Sequence, residues 1–137
     1  MRVGPPPILQ LAALDAAMEI WDRVDMAARR ATSLGLTDRF IAGVEAACPD
    51  LTLATPRDHA MRGSQASFRH AEGYAIMQAL IAEGVIGDFR APDILRFGFT
   101  PLYTSVHDVD GAVAILARIM AERRWDRPEF KARQKVT

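Results

Sequence analysis

An arginine on a strand is the residue of this chain best placed to do chemistry. Over Ile94–Phe99 the side chains alternate, so Leu95, Phe97 and Phe99 point one way and Ile94, Arg96 and Gly98 the other. The aromatic face must pack on helices. Arg96 then stands on the opposite face beside Gly98, which has no side chain to fill the space. An arginine fixed there could grip a carboxylate with two parallel hydrogen bonds, each worth about 1.5–3 kcal/mol. It could equally pair with Asp93 or Asp88 on an exposed sheet face, and spacing alone leaves both readings open.

The other reactive side chains point to structure. His59, His70 and His107 fall in loops or at element ends, with no i, i+4 pair and no carboxylates at ligand spacing, so no metal site is expected. His70 and His107 read as surface turn residues. Cys48 closes a helix, where the dipole raises a thiol's pKa, and it reads as structural. Ser64 and Ser67 lack a histidine and an acid in triad order, and there is no Gly-x-Ser-x-Gly elbow or glycine-rich phosphate loop. Of the 17 basic residues the only lysines are Lys131 and Lys135, both in the tail. A buried amine nucleophile is therefore hard to place.

The elements that must position Arg96 follow from periodicity. After the extended Pro5-Pro6-Pro7 lead-in, a helix from Ile8 carries Leu11, Leu14, Met18 and Trp21 on one stripe. Asp25 caps a second helix, with Leu34, Ile41 and Val44 on one side and Leu36 and Phe40 flanking, which Pro49 and Asp50 stop. Strands are expected at 51–55, 64–68, 85–89 and 94–99. A helix at 72–83 is stopped by Gly84. A last helix at 108–122, capped by Asp108, turns Val109, Val113, Leu116 and Met120 inward, and an irregular charged tail follows. The pattern predicts an α+β fold: two N-terminal helices leading into a two-layer α/β sandwich with a small, mainly antiparallel sheet. Residues 1–48 would form the helical segment and 49–137 the small α+β domain.

Composition excludes several classes of function. The 137 residues, half of them hydrophobic, suffice for one ordinary core. Seventeen basic residues balance seventeen acidic ones, which leaves no field to gather nucleic acid or an anionic membrane. No apolar run approaches the roughly 20 residues of a membrane span, and no secretory leader is recognisable. A single cysteine precludes an intramolecular disulfide and suits a reducing, cytoplasmic setting.

Four segments resemble the kynureninase family: Val3-Gly4-Pro5-Pro6-Pro7-Ile8-Leu9, Arg62-Gly63-Ser64-Gln65-Ala66-Ser67-Phe68-Arg69-His70, Gly84-Val85-Ile86-Gly87-Asp88-Phe89-Arg90-Ala91-Pro92-Asp93 and Ile94-Leu95-Arg96-Phe97-Gly98-Phe99-Thr100-Pro101-Leu102-Tyr103. The resemblance runs from end to end but matches the C-terminal third of such an enzyme. It implies the small domain of a fold-type-I pyridoxal-phosphate enzyme, which hydrolyses L-kynurenine to anthranilate and L-alanine in tryptophan catabolism, a route that feeds NAD biosynthesis. It also implies a homodimer with active sites at the subunit interface. The family's cofactor lysine, its pyridine-pairing aspartate and its ring-covering aromatics all precede the matched region. Arg96 matches the arginine that binds the substrate α-carboxylate. Pro5 stands where the family usually carries a threonine or asparagine that contacts the cofactor phosphate, and proline offers neither a side-chain donor nor an N–H. The expectation is a C-terminal kynureninase fragment, inactive by itself, that contributes Arg96 but no covalent hold on the cofactor. Its alternatives are a stand-alone binding or interaction module, or one half of a split enzyme whose partner chain brings the lysine.

Overall fold

The computed structural model describes Gly4 and residues 7–132. Helix α1 (Ile8–Trp21) and helix α2 (Met26–Ala47) meet at Asp25. The Asp25 carboxylate accepts hydrogen bonds from the amides of Ala27 (2.9 Å) and Ala28 (3.1 Å), two of the amides a helix start leaves free. Helix α2 ends at Ala47, with Cys48 as its C-cap ahead of Pro49. Its buried residues are Ser33, Leu36, Thr37, Phe40, Ile41 and Val44, a stripe at three- and four-residue spacing. Leu36 and Phe40 therefore belong to the inward face instead of flanking it, and Leu34 is half-buried.

Four antiparallel strands follow: β1 (Thr52–Leu53), β2 (Gln65–Arg69), β3 (Asp88–Arg90) and β4 (Ile94–Gly98), in the order β1-β2-β4-β3. β1 is shorter than its alternating residues suggested. Ala54 still donates to the Ser67 carbonyl, but the Ser67 amide goes to the Thr55 hydroxyl, so a side chain replaces the ladder there. β3 begins three residues later than expected. Val85 is used in ending the preceding helix, its amide bonded to the Leu80 carbonyl.

Helix α3 (Gly73–Ala82) stops at Gly84 as expected, with φ +85°. Helix α4 spans Val106–Ala121. Its cap is Ser105, not Asp108. Asp108 is the third helical residue of a capping box, its carboxylate taking the Ser105 amide while the Ser105 hydroxyl takes its own. Up to residue 132 the tail is more regular than its charge suggested. A short helix α5 (Pro128–Lys131) packs on α3, and Trp125 is buried with its ring against the edge of His70.

The result is an α+β sandwich in which α2 and α3 cover one face of the sheet and α4 packs against both helices. Ala66, Phe68, Leu95 and Phe97 point into that layer, where Phe40 meets the rings of Phe68, Phe97 and Phe99. The core is continuous across residue 48, since α2 supplies Phe40 and Val44 to it. No residue of α1 is buried.

Candidate functional site

The opposite face of the sheet is polar. Its middle row runs Ser67, Arg96, Asp88 across β2, β4 and β3, and the next row runs Arg69, Ile94, Arg90. β4 is paired on both sides, so the backbone beneath Arg96 is held firmly. Arg96 and Gly98 share this face while Leu95, Phe97 and Phe99 are buried, as the alternation predicted. A side chain built on Gly98 would meet nothing within 4 Å, so the space beside Arg96 is open.

Among the described residues the Arg96 guanidinium has one partner. Its Nη2 donates to the carboxylate of Asp88, directly opposite on β3. Asp93, the other acid within reach by sequence, pairs instead with Arg69 at 3.2 Å. Arg90 Nε lies 3.8 Å from the Asp88 carboxylate. The Arg96 side chain is 28% exposed, its Nε is buried without a hydrogen bond, and Nη1 has no partner among the described residues. It borders a hollow of about 300 Å³ that is also lined by Gln65, Ile86, Asp88, Thr100 and Tyr103. A guanidinium with an unengaged end over a polar hollow can hold a carboxylate. Its pairing with Asp88 does not use up its donors, because a guanidinium carries five N–H groups.

The remaining candidates lie elsewhere. Pro5 and Lys135 lie outside the described residues. His59 pairs with Asp38 at 2.9 Å, and His107 is exposed at the start of α4, beside an apolar hollow of about 360 Å³. His70 is half-buried, not a free surface turn, and its Nδ1 accepts the Glu72 amide at 3.0 Å. Cys48 is buried, and burial, with the nearby Asp50 charge adding to it, pushes its thiol pKa up. The direction agrees with a structural thiol, but burial is the larger cause. Ser64 meets the Ser33 hydroxyl at 2.6 Å, and Ser67 accepts from Gln65 at 2.9 Å. Neither touches a histidine in these contacts.

One cluster escaped sequence reasoning. Arg62, whose side chain is only 2% exposed, donates to Asp38, and Arg30 donates to the carbonyls of His59 and Arg62, both at 2.7 Å. Burial pushes the Asp38 carboxyl up, yet the bonds from Arg62 and His59 outweigh it and hold the group below its ordinary value. The cluster ties the loop before β2 to α2. Residues 24 apart give no spacing signal, so no pattern in the sequence marked it.

Comparison with known proteins gives a consistent result. Residues 29–116 match the family model described as kynureninase C-terminal domain. The chain is 51% identical over 136 residues to a kynureninase of Pseudomonas fluorescens and 52% identical to those of Burkholderia mallei (strain SAVP1) and Burkholderia pseudomallei (strain K96243). Each match covers 98% of this chain and 33% of the relative, so the chain spans about a third of the length of these curated relatives.

Proposed function

Because the chain belongs to the kynureninase family, as its C-terminal domain, we propose that it supplies the arginine that holds the substrate α-carboxylate in a kynurenine-hydrolysing enzyme. The observation that carries the reading is Arg96, strand-held above an open polar hollow with Nη1 unengaged. Gripping the carboxylate end-on would fix one end of L-kynurenine and so aim the bond to be cleaved, a gain in orientation rather than in reactivity. In the intact enzyme pyridoxal phosphate supplies the electron sink.

In this reading the chain does not hold that cofactor covalently. The one lysine among the described residues, Lys131, ends α5, which packs on α3, and it is paired with Asp126. The covalent seat belongs, in this reading, to a large domain against which α1 packs, since α2 is already committed to the sheet. The same reading places the enzyme in tryptophan catabolism, as a cytoplasmic homodimer. No helix among the described residues is long and apolar enough to cross a membrane.

Calorimetry of the purified chain with L-kynurenine, L-alanine and anthranilate, beside an Arg96→Ala variant, tests the proposal. All three carry carboxylates, and their heats should vanish in the variant. Equal heats in both proteins would refute a role for Arg96. With pyridoxal phosphate and L-kynurenine added, the chain alone should release no fluorescent anthranilate above the blank.

A further inference from the structure

Arginine has a long stem and considerable rotamer freedom, so a site that depends on one guanidinium needs something to fix its plane. On this sheet Asp88 is placed to do it. It stands directly opposite Arg96 in the β3–β4 register and accepts from Nη2. The approach that brings it there depends on Gly87. A side chain at that position would put its Cβ 2.8 Å from the Arg96 carbonyl and 2.7 Å from Met77 Cε, closer than real Cβ atoms come. Any other residue would therefore push the start of β3 off β4. Arg90, whose Nε is 3.8 Å from the same carboxylate, offsets part of the charge Asp88 brings.

We propose that Asp88, brought close by Gly87, is a positioning residue that holds the Arg96 guanidinium with its free end aimed into the hollow bordered by Gln65, Thr100 and Tyr103. The inference rests on the carboxylate-binding reading of Arg96 and adds what makes that arginine competent. Nη2 carries a second hydrogen and Nη1 two, so donors remain for a ligand while Asp88 keeps its bond.

The sign of the effect separates this role from a purely electrostatic one. An acid that only lowered the local positive charge would repel an anionic ligand, and removing it would tighten binding. A positioning acid removed without replacement weakens binding instead. The experiment uses the full chain labelled with ¹⁵N-arginine, comparing wild type, Asp88→Ala and Asp88→Asn. The Arg96 Nε–H signal is followed without ligand and during titration with L-kynurenine. Asparagine keeps an acceptor oxygen in the same place, so it should preserve the rigid Nε–H signal and binding within about threefold. Alanine should make the signal mobile and weaken binding about tenfold, the loss of roughly one charge-assisted bond. An equally rigid Nε–H in the alanine variant, or tighter binding in both variants, would overturn the positioning role. A wild type whose Nε–H order follows the predicted pattern but which binds no L-kynurenine would instead refute the carboxylate reading.

Discussion

Arg96 and Cys48 show how the same chain treats two reactive side chains differently. Arg96 stays partly open because its strand neighbour Gly98 leaves space and its cross-strand neighbour Asp88 engages only one of its nitrogens. Cys48 is closed off just past α2, with its pKa raised first by burial and then by Asp50. Since the thiolate is the reactive form, Cys48 in the folded chain should react with a disulfide reagent near pH 8 far more slowly than in denaturant. Stopped-flow absorbance measures both rates, and equal rates would show that the thiol is not protected.

At the scale of elements, helix ends decide much of the local stability. Gly84 takes φ +85° to close α3, with its own amide on the Ile81 carbonyl and that of Val85 on the Leu80 carbonyl. Gly35 lies mid-helix in α2, exposed, with nothing within 4 Å of an added Cβ. The same substitution should thus have opposite signs. Gly84→Ala should destabilise by about 1–2 kcal/mol, whereas Gly35→Ala should stabilise by about 0.8–1 kcal/mol. Denaturant unfolding midpoints check both. At the end of α3, Glu83 pairs with Arg124 (2.8 Å) and with Arg118 of α4. Those two bonds, that from Arg124 the larger, hold its carboxyl below the ordinary range. A depressed acid contributes stability above its unfolded pKa and loses it as pH falls through the folded value. Wild-type melting temperature should therefore fall more steeply between about pH 5 and 3 than that of Glu83→Gln. Parallel curves would show that the pairing adds nothing.

For the whole molecule, the telling contrast is between α1 and the rest. Leu9 is 87% exposed and Leu14 56%, with Ile8, Leu11, Met18 and Ile20 also exposed on the same helix. Singly exposed apolar residues are ordinary, but so many together mark a surface meant to be covered. Purified alone, the chain should self-associate through α1. Sedimentation velocity should show mass rising with concentration, and charged substitutions at Leu11 and Leu14 should suppress it. A monomer across the whole concentration range would refute that role for the helix.

The sequence by itself determined the α+β class, the order of most elements and the face on which Arg96 stands, because these follow from local periodicity and capping chemistry. Alternation over Ile94–Phe99 was enough to set Arg96 opposite the buried aromatics. Asp25 and Gly84 marked their helix ends for equally local reasons. The four quoted segments also carried the family, since they specify a long stretch of residues in register. Tertiary structure alone decided which acid Arg96 meets, that Arg62 is buried on Asp38, and that Ser105 rather than Asp108 caps α4. Asp88 and Asp93 both precede Arg96, by eight and three residues, and only the strand register, tightened by Gly87 against β4, sets the more distant of the two opposite it. Periodicity says which way a side chain points. What it meets there depends on residues brought together by chain reversal, and no local pattern encodes that.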